Sequence, residues 1–370
     1  MARKTTTAKA VPRPMLRWFE VENFKSIKKL RLEFKPFMVF VGPNGAGKTN
    51  LLQALALLLD LSNRGDESTV EQYGGTDQLL RRGARKASYV RLEFGAEPLR
   101  EPGAPAAMGL EFRLTAKGVH GVVNLDAGKS LGKTQSQKHL NWFALKIKRD
   151  EQILPSPAIR LRLDASALRS DVTGGRLQGG LLGISGDGLP RAVERVRDTP
   201  AFKRILAGLQ AVYPRIEDVD TVQLLPGEVA IRFKERSIKD GLGQANVSDG
   251  VMHALALLIV LEASPPDTVL LIEEPENALH PWALRTILKR VQDNPRQAPV
   301  LLATHSPTLI DAVEDPSALF IVENDDKKGT TVTPALTREK ALRAILAESG
   351  QKLGDIWLDG LLGGVPDGDV

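Results

Sequence analysis

Phe37-Met-Val-Phe-Val41 runs without interruption into Gly42-Pro-Asn-Gly-Ala-Gly-Lys48-Thr49, and from Thr49 to Leu61 apolar residues recur at helical spacing. A compact apolar run closed by a glycine-rich turn reads as a buried strand, and the period beyond it reads as a helix. The turn matches G-x-x-x-x-G-K-[ST], a loop whose glycines let backbone N–H groups converge on phosphate oxygens. The helix that follows points its positive N-terminal end at the same place. Lys48 is placed to reach β- and γ-phosphates, and the Thr49 hydroxyl to ligate Mg²⁺. Asn44, Gly45, Ala46, Gly47, Lys48, Thr49 and Asn50 are therefore the candidate nucleotide contacts. A chain of this length would show the pattern by accident on the order of one or two times in a hundred, and the flanking strand and helix lower that further.

Three more stretches point to the same edge of a sheet. Thr268-Val-Leu-Leu-Ile-Glu273-Glu274-Pro275-Glu276 is a buried strand that ends in acids. Carboxylates delivered to the C-terminal edge of an open α/β sheet lie where ligands bind. Glu273 is the candidate metal ligand, with Thr49, and Glu274 the candidate base that polarises an attacking water. Val300-Leu-Leu-Ala-Thr-His305-Ser306-Pro307 brings an imidazole to that edge, where it could hydrogen-bond a γ-phosphate. Lys48, Glu274 and His305 make up the candidate catalytic set. Asn246-Val-Ser248-Asp249-Gly250 opens a strong helix, Ser248 to Ser264. Ser and Asp there are ordinary helix caps, and a capped N-terminus is equally a phosphate site, so both readings stand.

Strands alternating with helices imply a largely parallel α/β sheet. The 370 residues are 42% hydrophobic and 26% charged, the proportions of a globular chain with a sizeable core. No apolar run is long enough to span a membrane, and the N-terminus lacks a signal peptide's apolar stretch, so a cytoplasmic location and no membrane partner are expected. Cysteine is absent, which rules out disulfides and thiolate metal sites. The net charge of +5 is uneven: residues 1–150 carry 26 Lys/Arg against 14 Asp/Glu, and residues 151–370 carry 24 against 31. The clusters Arg81, Arg82, Arg85, Lys86 and Lys138, Lys146, Lys148, Arg149 could track nucleic-acid phosphates or be solvated loops.

Taken together, the motifs resemble the ABC-type ATPases of the RecF, SMC and OLD (overcoming lysogenization defect) group, over roughly residues 16–325. Asn23-Phe-Lys25-Ser26 looks like that group's N-terminal element, whose basic residue approaches the phosphates, and implicates Lys25. Gly42 to Thr49 matches Walker A, Val-Ser-Asp-Gly the signature, Leu-Ile-Glu-Glu-Pro-Glu Walker B, Asn277 to His280 the D-loop, and His305 the switch histidine. Val247 stands where Leu is usual, His253 where many relatives carry Arg, and Glu273 where Asp is commoner. Gln78 is a weak candidate for the Q-loop glutamine.

The resemblance implies a P-loop NTPase of ABC type: a mixed, largely parallel sheet with an antiparallel β subdomain and an inserted α-rich lobe. The expected organisation is a flexible basic tail over 1–15, the first part of an ATPase head over 16–168, and the inserted lobe over 169–245. The second part of the head follows over 246–335, then a C-terminal helix and tail over 336–370. ATP and Mg²⁺ are the implied cofactors. A homodimer is implied, in which Ser248, Asp249 and Gly250 of one subunit meet the γ-phosphate held by the other. The expected function is an ATPase that switches a DNA-related process, repair or anti-phage defence, through a separately encoded effector such as a Toprim nuclease. Glu323, Asp325 and Asp326 read as an exposed turn and not as a nuclease fragment, so no intrinsic nuclease activity is expected. A transporter's nucleotide-binding subunit and an ATP-locked scaffold are the alternatives.

Overall fold

A computed structural model of the chain describes residues 15–64, 67–83, 88–97, 107–115, 118–126, 158–170, 181–293, 296–338 and 352–361. Residues 1–14 of the expected basic tail, Arg85, Lys86, the basic segment 138–149 and most of the helix and tail expected over 336–370 lie outside the described residues.

The strand that precedes the phosphate loop, β3 (Phe37–Val41), lies in the middle of a parallel set. β12 (Val300–Thr304) and β13 (Leu319–Asp325) pair with it on either side. β11 (Leu270–Glu273) lies beyond β12, and β7 (Ile159–Leu161) beyond β11. β11 and β12 are buried at every position, as strands covered on both faces must be. Alternation then divides the core in two. Met38 and Phe40 face the cluster that holds the helix Lys48–Arg64, whereas Val39 and Val41 face the helix Asp249–Ala263. That second helix is buried from Gly250 through Val260, so it runs through the interior and not along the surface.

From β13 the sheet continues antiparallel. β14 (Gly329–Pro334) folds back on β13 and touches β2 (Ile27–Glu33) through the pair Gly329 and Ile27. β1 (Met15–Phe24), β4 (Val90–Glu97), β5 (Ala107–Thr115) and β6 (Gly118–Asp126) follow, giving one 11-stranded sheet in the order β6-β5-β4-β1-β2-β14-β13-β3-β12-β11-β7. The antiparallel strands are thus a continuation of the nucleotide sheet. On their open face Arg91 is surrounded by Glu20 (2.8 Å), Glu111 (3.0 Å) and Glu93, which makes the face an ion-pair ladder.

Among the described residues, the segment 169–245 is less helical than the α-rich lobe expected there. Its helical part is two helices, Leu189–Val196 and Pro200–Val212. They separate at Thr199, which is extended because a residue before proline is disfavoured in the α region. A three-stranded sheet accompanies them, β8 (Ile216–Leu225), β9 (Glu228–Glu235) and β10 (Leu242–Gly243), in the order β10-β9-β8. The α-rich expectation is therefore corrected to mixed α/β. The run Val229-Ala-Ile-Arg-Phe233 already reads as one of its strands, β9. Gly208 lets the Pro200–Val212 helix approach the central helix, since a Cβ there would stand 2.6 Å from Leu258 Cδ2.

Candidate nucleotide site

The phosphate loop is shaped by what lies behind it. Gly47 has φ +101°, and a Cβ there would stand 2.1 Å from Thr330 Oγ1 and 2.9 Å from Ser26 Oγ. Glycine is the residue that fits both the conformation and the space. A chain of hydroxyls fixes the arrangement. Asn50 Nδ2 donates to Ser26 Oγ at 2.7 Å, Ser26 and Thr330 hydroxyls lie 2.7 Å apart, and Thr330 Oγ1 donates to the Ala46 carbonyl at 3.1 Å. Asn44 and Gly45 remain exposed at the tip.

Lys48 is only 8% exposed, and its Nζ donates to the carbonyls of Gly42 (2.6 Å) and Pro43 (3.0 Å). Burial holds its pKa below the ordinary lysine value, against the opposing pull of Glu274, Glu276 and Glu273. Thr49 Oγ1 donates to Glu273 Oε2 at 2.6 Å, which unites the two candidate metal ligands from opposite ends of the chain. Lys25 sits in a left-handed turn at φ +47°, and its Nζ donates to Gln53 Oε1 at 2.6 Å on the helix after the loop. Its amine is also lowered, by burial first and then by the charge of Arg160.

Glu273 is 4% exposed. Arg160, from the neighbouring strand β7, places Nε at 2.8 Å and Nη2 at 2.7 Å from its Oε1. Glu274 follows at φ +48°, turned out of the strand. Its Oε2 accepts from Asn277 Nδ2 at 3.1 Å, and its Oε1 lies 3.7 Å from His305 Nδ1. The base candidate and the switch histidine are therefore neighbours at the sheet's edge. Glu276 ties the two strand ends together, since Thr304 Oγ1 donates to its Oε1 at 2.5 Å and accepts from Ser306 N at 2.9 Å. Burial pushes the Glu276 carboxyl above its ordinary range, and its Oε2 is buried without a hydrogen-bond partner.

The signature stretch lies elsewhere on the surface of the same core. Ser248 caps its helix, with Oγ accepting from Val251 N at 3.4 Å, and both Ser248 and Asp249 are exposed. Arg169 holds the approach to this cap. It donates to the carbonyls of Ala165 (2.8 Å), Gln244 (3.2 Å) and Val247 (2.9 Å) and pairs with Asp249 at 2.7 Å. Gly250 is needed for contact with the D-loop, since a Cβ there would stand 2.7 Å from the Ala278 carbonyl. His253 is buried against the Asp249 carbonyl at 2.9 Å. Gln78 is exposed on the short helix Gly75–Leu79, and its side chain lies beside Gly74. Asp325 accepts from the backbone N–H groups of Lys327 and Lys328 at 2.8 and 2.7 Å, so its carboxylate serves the hairpin turn.

Sequence reasoning missed Arg160, Arg169, Thr330, Thr304 and Gln53. The run Ala158-Ile-Arg-Leu-Arg-Leu163 carries two arginines, Arg160 and Arg162, and does not by itself single out Arg160; the others carry no signal. The donor set suits magnesium. Thr49 and Glu273 offer hard oxygen ligands, and among the described residues no group of three or more His, Asp or Glu forms an all-protein cage. Mg²⁺ characteristically takes few protein ligands and completes its shell with phosphates and water.

A phosphate loop beside two strand-end acids and a histidine defines an α/β P-loop nucleoside-triphosphatase fold of ABC type. Residues 15–129 match the family model "AAA ATPase domain", and residues 148–311 match "AAA domain, putative AbiEii toxin, Type IV TA system". The chain is 36% identical over 116 residues to Structural maintenance of chromosomes protein 1 of Arabidopsis thaliana, covering 29% of this chain and 9% of that protein. It is 30% identical over 128 residues to the DNA replication and repair protein RecF of Lactobacillus gasseri, covering 34% and 30%. It is 44% identical over 45 residues to the OLD nuclease of Thermus scotoductus, covering 12% and 8%. The chain thus spans less than a third of the length of these relatives. Among solved structures, the Smc head domain with an extended coiled coil bound to the C-terminal domain of ScpA, from Pyrococcus furiosus, superposes with a TM-score of 0.60 at 14% identity, covering 90% of this chain and 99% of that one. The SmcHead bound to the C-winged helix domain of ScpA gives 0.59 at 15%, covering 86% and 98%. These two structures bear on the fold alone. The family models and the relatives make the chain similar to ABC-type ATPases of the RecF, SMC and OLD group.

Proposed function

We propose that the chain binds ATP with Mg²⁺, hydrolyses it, and uses it to close a homodimer. The observation that carries this reading is the meeting of Glu274 with His305 at 3.7 Å, beside Glu273 and Thr49 joined at 2.6 Å. Lys48 and the loop amides hold the β- and γ-phosphates. Mg²⁺, when bound at Thr49 and Glu273, neutralises charge across those phosphates. Glu274, oriented by Asn277, takes the proton of the attacking water, and His305 donates to the γ-phosphate oxygens.

Ser248 is exposed, its polar contacts run to its own helix start, and it is the residue that would meet a γ-phosphate held by a second copy. The phosphate's charge is then shared between a loop in one subunit and a helix N-terminus in the other. The process switched is DNA-related, in keeping with the RecF and SMC relatives, and acts through a separately encoded effector, a Toprim nuclease being the leading candidate. Arg81 and Arg82 are the described members of the basic clusters that would meet DNA. Among the described residues no helix is long and apolar enough to cross a membrane.

Glu274→Gln tests the reading. The variant is expected to bind ATP, turn it over at least about 100-fold more slowly, and elute as a dimer with ATP but not with ADP. A variant that binds ATP and stays monomeric would end the dimer model.

A further inference from the structure

Glu273 occupies the position where Asp is commoner, and its longer side chain could place the carboxylate in several ways. In this chain both oxygens are committed. Oε2 accepts from Thr49 Oγ1 at 2.6 Å, and Oε1 takes two nitrogens of Arg160 at 2.7 and 2.8 Å. The register explains how the arginine gets there. Arg160 pairs with Leu271 in the parallel ladder, so its side chain leaves the same face as Glu273, two residues further along. Two residues of strand span about 6.6 Å, within the reach of an extended arginine. The ion pair is enclosed, with side-chain exposures of 12% and 3%.

We propose that Arg160 is the positioning residue that lets a glutamate serve as metal ligand in this site. It fixes Oε1 and so turns Oε2 toward the Thr49 hydroxyl, where the cation binds. Arg160 touches neither phosphate nor metal in this role; it acts through Glu273. The proposal rests on the reading of Thr49 and Glu273 as the Mg²⁺ ligands. A direct phosphate contact by the guanidinium's other N–H groups would instead show as a loss of Mg²⁺-free affinity. Partners of ligating carboxylates orient the ligand, and their loss typically weakens metal binding about 10- to 100-fold.

The test is the Mg²⁺ dependence of binding of a fluorescent ATP analogue, measured on the full chain, with thermal melting as the check of folding. Arg160→Gln is expected to raise the Mg²⁺ midpoint at least about tenfold while Mg²⁺-free affinity for the analogue stays within about twofold. Arg160→Lys keeps the charge with one contact, and is expected to fall between the two; it carries the test if Arg160→Gln does not fold. Glu273→Asp, one methylene shorter, withdraws from Arg160 and is expected to raise the midpoint, and adding Arg160→Gln to it should change it by no more than about twofold. An unchanged midpoint in the folded Arg160 variants, effects that multiply in the double variant, or an equal loss of Mg²⁺-free affinity would each overturn the proposal. Wild-type binding with no Mg²⁺ dependence would instead remove the metal-site reading, and the proposal with it.

Discussion

At the scale of single residues, the charged groups of this site are held by neighbours that suppress their freedom. Glu276 shows the cost. Its carboxyl is raised by burial, so the folded chain holds that proton to higher pH than the unfolded chain does. Stability contributed by the protonated form is complete below the ordinary carboxylate range and is lost as pH rises through the raised folded value. Glu276→Gln keeps an oxygen for Thr304 and carries no charge. It is expected to melt above wild type at neutral pH, with the difference closing in acid, as thermal melts across that range would show. His305 and Glu274 have the opposite character, partly exposed and free to meet a ligand. Glu274 and His305 thus stand partly open to solvent, whereas Lys48 and Glu273 are enclosed.

At the scale of elements, the signature helix is set by its two ends. Its body is buried on all sides, so its axis cannot drift, and its first turn presents Ser248 and Asp249 to the surface. Arg169 ties the preceding strand-to-helix link through four contacts, reaching back to Ala165 and forward to Asp249. Arg169→Ala is expected to free that link without touching the phosphate loop. In a Glu274→Gln background, nucleotide affinity of the monomer should stay within about threefold while the ATP-trapped dimer weakens at least about tenfold, an entropy cost of ordering the loop on association. Analytical ultracentrifugation with and without ATP would measure it.

At the scale of the whole molecule, one sheet joins the nucleotide edge to the ion-pair ladder of the antiparallel flank. Arg91 bridges Glu20, Glu93 and Glu111, whose side chains are largely enclosed, and burial already pushes the Glu93 carboxyl up. Removing the cation takes away the central charge that these three share, while Lys29 and Arg31 stay with Glu20 and Arg113 with Glu111. Arg91→Met is therefore expected to destabilise the chain by about 3 kcal/mol, read by denaturant unfolding at neutral pH. The same connectivity explains how residues far apart in sequence share one site. β3 brings Lys48, β11 brings Glu273 and Glu274, β12 leads to His305, and β14 carries Thr330 to the back of the loop.

The sequence alone determined the strand–loop–helix at Phe37 to Leu61, the acidic end of β11, the histidine after β12 and the capped helix at Ser248. Each is a contiguous motif, because gripping a phosphate with backbone amides, or delivering a side chain to a strand's end, needs a particular local order of residues. Tertiary structure alone decided that Arg160 would hold Glu273, that Thr330 would back Gly47, that Arg169 would brace the signature, and that β8 and β10 would flank β9 in the segment 169–245. These contacts join residues distant in sequence, or depend on which strands lie side by side. Strand register and long-range closure are properties of the whole packed core, and no local run of residues records them.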